Sequence, residues 1–400
     1  MTRAGGTAWV ALAFALASAC GGAHSTNLGS GDEPATGDDD DGEDASADDD
    51  ASGPSGPTFG GDSGLPTGMT LADAGCATAM AQAKRKPVYL EFVLDGSNSM
   101  SSQNKWAAAV PALKSIFGEM QTAADPGVAA GLIIFPNTTG TYPGTDDVPI
   151  AFVSSAQNTA LATRLGTQLR LGTPTQGALT GGYTALEDFT PASPLLPDGR
   201  KVVVLITDGV PTDGCVSLGN LNLATNACVT MAADKLKEAP SKGPIMTFVV
   251  GVGNFPATGD FDPKFLGYVA QAGGTGPTGC NPDETADLSK LCYFEIDPSK
   301  SASASDLQKK FETALNAIRG QVVSCTFPLE SSNLSTVDPT LVNVTVSGKT
   351  VLQDAKNGWT YDDPSKPSEI VLHGAACTSA KGDLTAKVSI VLGCKTETAK

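Results

Sequence analysis

Apolar residues gather in short, nearly continuous runs at 88–94, 128–135, 148–153, 201–207, 245–252 and 293–296. Between them lie stretches with helical spacing at 103–120, 156–170, 175–189, 227–239, 263–272 and 305–319. Strands with both faces apolar, alternating with amphipathic helices, predict an α/β fold built on a doubly wound, mostly parallel sheet covered on both faces. The run at 148–153 follows a turn-rich stretch after Phe135 with no helix between, which suits an antiparallel edge strand. In open sheets of this kind ligands sit beyond the carboxyl ends of the strands, near the point where strand order reverses. Beyond Cys325 the pattern changes. Residues 341–346 alternate, Ser347-Gly348 offers a turn, and strand-like runs recur at 350–352, 359–361, 369–372 and 386–392. They predict a small β-rich module over 325–400, of a size that benefits from its own disulfide.

The first 75 residues follow neither pattern. Residues 1–20 carry Arg3, an apolar stretch at 8–17 and the small residues Ala17-Ser18-Ala19 before Cys20. A positive start, a short apolar run and small residues before a cleavage point read as a secretory signal peptide, too short to span a bilayer. Residues 21–75 are mostly Gly, Ser, Pro, Thr, Ala and Asp, and only Leu28, Phe59, Leu65, Met69 and Leu71 are large and apolar. Such a segment buries too little surface to offset the entropy of ordering it, so it is predicted to be a disordered linker. The first folded domain then covers 76–324. No later run reaches about 18 apolar residues, so no further membrane segment is expected.

Charge changes the picture only once it is placed along the chain. The 400 residues carry a formal charge of −17. Residues 21–75 hold 13 carboxylates and no Lys or Arg, which leaves 30 Asp+Glu against 25 Lys+Arg for residues 76–400. The folded part is therefore only mildly acidic, and the basic surface that nucleic acid requires is absent. Asp38-Asp39-Asp40-Asp41-Gly42 lacks the closing Glu of an EF-hand loop and reads as a solvated spacer.

Three strand ends hold the informative residues. The first strand ends Asp95-Gly96-Ser97-Asn98-Ser99-Met100, the loop before the helix at 175 holds Gly172-Thr173-Pro174-Thr175, and the strand at 201–207 runs into Asp208-Gly209. Together they offer two carboxylates and three hydroxyls, all oxygen ligands, which is the chemistry of a hard cation such as Mg2+. Alternation in Asp95-x-Ser97-x-Ser99 directs three side chains the same way from an extended loop. Thr175 reads as a helix N-cap and Thr173 as the residue facing the site. Either turn sequence alone is commonplace; their order on three strand ends is what carries the signal.

This arrangement resembles the von Willebrand factor A domain with its metal-ion-dependent adhesion site. The resemblance covers about residues 86–320 in strand and helix order, and all five site types are intact. It implies that Asp95, Ser97, Ser99, Thr173 and Asp208 form the metal-binding set, holding Mg2+, or Mn2+ or Ca2+ in its place, while a carboxylate from a partner completes the coordination. Residues 17–20 likewise resemble a bacterial lipobox, which implies lipidation of Cys20. Gly21 after it implies an outer-membrane destination, so the membrane would be met only through the lipid.

Setting Cys20 aside leaves eight cysteines, an even number suited to four disulfides in an exported chain. Cys215 with Cys228 and Cys280 with Cys292 are the simplest local pairs, and Cys76, Cys325, Cys377 and Cys394 allow three connectivities. The A-domain resemblance, in which some termini are clasped together, implies Cys76 with Cys325 and Cys377 with Cys394. None has zinc spacing.

The chain has two histidines, His24 in the linker and His373 in the last module, so a Ser-His or Cys-His pair has no base in the domain that holds the strand-end site. P-loop, GxGxxG and HExxH patterns are absent, which removes nucleotide and zinc-protease readings. Asp95 could serve a metal-assisted phosphotransferase, but the Gly-Ser-Asn-Ser after it lacks the second acid such sites need. No enzyme is expected. The expectation is an envelope-anchored adhesion module that binds an acidic group of a protein or glycan; the alternative is a structural partner in an envelope complex that does not use the metal.

Overall fold

Strand β2 (Val88–Asp95) sits near the middle of a six-stranded sheet with β3 (Val128–Phe135), β4 (Val148–Phe152), β5 (Arg200–Thr207), β6 (Ile245–Val252) and β7 (Phe294–Ile296). The computed structural model describes residues 79–122, 127–136, 147–168, 172–215, 225–238, 243–254, 261–329, 338–382 and 386–399. The predicted signal peptide, the linker, Cys20 and Cys76 lie outside them. The strand order is β4-β3-β2-β5-β6-β7. All pairs are parallel except β3 with β4, which is the antiparallel edge. Chain order runs outward from β2 through β3 to β4, then returns to the other side through β5. The reversal therefore falls between β2 and β5, and the crevice at their carboxyl ends is where a ligand is expected.

Side-chain alternation builds two cores on this sheet. Val88, Leu90, Phe92 and Leu94 of β2 and Val202, Val204 and Ile206 of β5 point to one face. There they meet α1 (Lys105–Thr122), α2 (Ser155–Arg164) and α6 (Ala304–Val322) through Leu113, Phe117, Leu161, Phe311 and Leu315. Phe92 and Phe117 pack edge to face with centroids 5.1 Å apart. Tyr89 and Val93 of β2 and Val203 and Leu205 of β5 point the other way, onto α3 (Thr175–Asp188), α4 (Ala227–Leu236) and α5 (Pro263–Ala272). By the same two-residue period Asp95 and Thr207 share this second face.

Helix starts follow local chemistry. Ser154 accepts from the Gln157 N–H at the head of α2, Asn226 from Cys228 at α4, Asp262 from Phe265 at α5 and Ser303 from Asp306 at α6. The predicted helix at 103–120 begins only at Lys105, because Gln103 and Asn104 adopt left-handed φ of 54° and 60°. The one predicted at 156–170 ends at Arg164. No helix among the described residues is long and apolar enough to cross a membrane.

The second module holds two antiparallel sheets. One is ordered β1-β13-β9-β10, from β1 (Ala79–Gln82), β9 (Val342–Val346), β10 (Lys349–Val351) and β13 (Val388–Leu392). The other is β11-β12-β8, from β8 (Thr326–Pro328), β11 (Trp359–Tyr361) and β12 (Glu369–Leu372). They share one apolar core that includes Val344 and Ile390 from the first sheet and Phe327, Trp359 and Ile370 from the second. Ser347 and Gly348, at φ 49° and 78°, make the tight β9–β10 hairpin that Ser-Gly signals.

Three features differ from expectation. The sequence places 79–82 at the start of the α/β domain, yet β1 pairs with β13 and completes the β module, so the α/β domain is inserted between the module's first strand and the rest. Residues 374–382 form a helix, α7 (Gly374–Gly382), after Gly374 turns the chain with φ 47°. The cysteine pairing implied by the A-domain resemblance is corrected: Cys325 bonds to Cys377, not to Cys76, and Cys377 does not bond to Cys394. The reason is the sheet. Cys325 leads into β8, β8 pairs with β12, and α7 follows β12 carrying Cys377; the Leu372 N–H donates to the Cys325 carbonyl at 2.9 Å. Cys394 is itself disulfide-bonded.

Candidate functional site

At the carboxyl end of β2 the chain turns through Asp95, Ser97 and Ser99, and at the end of β5 it passes Thr207 into Asp208. These residues are linked hydrogen bond to hydrogen bond. The Ser97 N–H donates to Asp95 Oδ1 at 2.8 Å, the Ser97 and Ser99 hydroxyls lie 2.9 Å apart, and Ser99 Oγ donates to Asp208 Oδ1 at 2.8 Å. Thr207 Oγ1 donates to Asp95 Oδ2 at 2.6 Å, as their shared face requires. Asp95 and Thr207 are fully buried, and Ser97, Thr173 and Asp208 are nearly so.

Thr173 arrives from the loop before α3. A Cβ placed on Gly209 would lie 3.3 Å from Thr173 Oγ1 and 3.8 Å from Asp95 Oδ2, so one point next to Gly209 touches both. The bare glycine keeps that point clear. Thr173 is held by the loop after β5: its N–H donates to Thr212 Oγ1 and its carbonyl accepts from the Thr212 N–H, each at 2.9 Å. Thr175 does not cap α3. Pro174 holds the N-cap position without a side-chain bond, and Asp213 Oδ2 caps the helix from outside by accepting from the Gln176 and Gly177 N–H groups at 2.7 and 3.1 Å. Thr175 Oγ1 turns back to the Thr173 carbonyl. The Cys215–Cys228 disulfide closes the same loop just beyond Asp213. Gln168 ties in the remaining edge, donating from Nε2 to the Ser97 carbonyl at 3.0 Å.

One cation is built into the site. Lys105 Nζ lies 2.6 Å from Asp208 Oδ2 in a contact that leaves the lysine 8% exposed. Burial raises the Asp95 carboxyl above its ordinary value and the nearby Asp208 charge adds to this, against the hydrogen bonds from Thr207 and Ser97.

The five residues singled out in the sequence thus meet at the switch point. Lys105, Thr207, Thr212, Asp213 and Gln168 escaped the sequence reading. Thr207 had a signal, since it shares strand parity with Asp95 in a neighbouring strand; the others had none. The donors fit a hard divalent cation: oxygen only, two carboxylates with three hydroxyls, beside a glycine that leaves room. Among the described residues no group of three or more His, Cys, Asp or Glu side chains is placed to hold a metal, so the hydroxyls are essential to any such site. His373, in the other module, has Nε2 2.8 Å from Thr360 Oγ1.

Residues 90–273 match the family model of the von Willebrand factor type A domain. No curated protein matches the chain. Among solved structures it is similar to the pilus adhesin SpaC of Lactobacillus rhamnosus GG in its open conformation, at 17% identity and TM-score 0.44, over 78% of this chain and 39% of that one. The vWF domain of the type V pili tip protein Mfa5 of Porphyromonas gingivalis matches at 14% identity and TM-score 0.35, over 60% and 97%. Manganese-loaded TRAP protein of Plasmodium vivax matches at 19% identity and TM-score 0.35, over 58% and 76%. The chain spans about two fifths of the length of the pilus adhesin.

Proposed function

We propose that this chain is an exported binding module that uses Asp95, Ser97, Ser99, Thr173 and Asp208 to hold a divalent cation, Mg2+ with Mn2+ or Ca2+ as substitutes, and through it an acidic group of a protein or glycan partner. The observation that carries the proposal is the convergence of oxygen side chains from three loops at the sheet's switch point, with Asp95, Ser97, Ser99 and Asp208 on one hydrogen-bond network and Thr173 Oγ1 beside Gly209 next to them. When bound, the cation supplies a Lewis-acid position that attracts a carboxylate oxygen. The protein's part is orientation: Thr207 aims Asp95, Ser99 aims Asp208, and Thr212 fixes Thr173. No nucleophile and base are paired at this point, so the chemistry is binding rather than turnover. Export and anchorage rest on the leader-like residues 1–20 and on Cys20, with 21–75 as the tether.

A second reading has its own observation. Lys105 already sits on Asp208, which favours the alternative of a structural envelope-complex protein whose domain does not use the metal. Calorimetric titration of the full chain with Mg2+ separates the two. The adhesion reading predicts a saturable heat that is lost in Ser97→Ala and Asp208→Ala; no heat in the wild type, or the same heat in both variants, sinks it.

A further inference from the structure

Lys105 is placed where three effects oppose it. It is the first residue of α1, the positive end of the helix dipole, and no acidic side chain sits in that first turn to offset it. Its ammonium is buried, with the side chain 10% exposed, and has lost most of its hydration. The two residues that launch the helix, Gln103 and Asn104, both adopt left-handed backbone, which Asn tolerates but Gln reaches only at a cost. Strained backbone gathers at functional positions, and here it immediately precedes the residue whose Nζ lies 2.6 Å from Asp208 Oδ2.

The contact is made to one particular oxygen. Asp208 Oδ1 takes the Ser99 hydroxyl, Asp95 Oδ1 takes the Ser97 N–H and Asp95 Oδ2 takes the Thr207 hydroxyl. Lys105 therefore engages the remaining carboxylate oxygen of the pair. Two buried acids this close to each other are relieved either by a proton on one of them or by a cation beside them, and Lys105 is the cation this fold places there.

We propose that Lys105 is the resident cation of the site: its ammonium neutralises Asp208 until a divalent ion binds, and the ion binds in competition with it. This rests on the metal-binding reading above and adds its control. Lys105 then sets how much free Mg2+ is needed before the site can take an acidic ligand, and it keeps the metal-free domain folded.

The test uses the full chain as wild type, Lys105→Met and Lys105→Gln. Mg2+ and Mn2+ are titrated calorimetrically, and thermal unfolding is followed in chelator and in saturating Mg2+. Removing a unit charge from the edge of the site is expected to tighten Mg2+ roughly tenfold or more. It is also expected to lower the melting temperature in chelator and to enlarge the rise that Mg2+ produces. Lys105→Gln, which keeps a hydrogen-bond donor for Asp208, carries the comparison if Lys105→Met does not fold without metal. Affinity equal to or weaker than wild type overturns the competition while leaving the metal site standing. A silent wild type with a variant that binds Mg2+ supports the competition and overturns metal use by the natural chain. Silence in all three overturns both.

Discussion

Replacing Thr207 by Val preserves the shape of a fully buried side chain and removes a single oxygen. That oxygen donates to Asp95 Oδ2 at 2.6 Å and accepts from the Gly209 N–H at 3.3 Å. A hydrogen bond to a charged group contributes about 1.5–3 kcal/mol, and stranding the buried acceptor puts the loss near the top of that range. The longer Gly209 contact adds less. We therefore expect Thr207→Val to cost about 3 kcal/mol in chelator, where no metal can stand in for the lost donor. In a domain of 150–250 residues each kcal/mol moves the melting temperature by roughly 2–4 °C. The assay is urea and thermal unfolding of wild type, Thr207→Val and Thr207→Ser. Serine keeps the donor and forfeits one methyl, about 1 kcal/mol of burial. If Thr207→Val is no less stable than Thr207→Ser, the hydroxyl does not hold Asp95 and the description of the site from β2 and β5 parity fails.

Other outcomes follow from the same geometry. Gly209→Ala places a methyl 3.3 Å from Thr173 Oγ1 and should weaken Mg2+ binding at least severalfold while the far-ultraviolet dichroism stays wild type; unchanged affinity means that the space beside Gly209 is not where the ion sits. Replacing Cys325 and Cys377 together by Ser opens a loop of 52 residues and should cost about 4 kcal/mol in the β module by chain entropy. Mg2+ affinity should stay put, and its loss would show that the two modules are coupled. Because burial raises the Asp95 carboxyl, the stability this group supplies is present below its unfolded value and fades as pH climbs towards neutrality. In chelator the stability of wild type relative to Asp95→Asn should therefore fall over that interval, and a constant difference speaks against a buried, ionising Asp95.

Much of this molecule is legible in its sequence because the α/β domain is built from local signals. Strands such as Val128–Phe135 are apolar on both faces, and helices such as Pro263–Ala272 open with a cap and proline, so type and order can be read one segment at a time. The turn-rich sequence between Phe135 and Val148, without helical spacing, predicts the antiparallel edge that β3 and β4 form. The five oxygen side chains were legible because each follows the end of a strand or precedes a helix, and the fold class dictates where those ends meet.

What escaped the sequence reading is non-local. Ala79–Gln82 has no pattern of its own and becomes a strand only because β13 offers it an open edge. The partner of Cys325 is decided by β8 pairing with β12, which no spacing rule encodes. Lys105, at the head of an amphipathic helix, reads as a solvated surface residue until the left-handed step at Gln103 and Asn104 turns it inward. Asp213 caps a helix that begins 38 residues before it, at Thr175.

The central claim is a divalent cation held by side chains of three loops. Crystals grown or soaked with Mn2+ and measured at the manganese absorption edge test it most directly. The prediction is one strong anomalous peak within about 2.3 Å of the Ser97 and Ser99 hydroxyl oxygens, with Thr173, Asp95 and Asp208 around it and the Lys105 ammonium moved off Asp208. A map with no peak there, and with Lys105 still seated on Asp208, would contradict it.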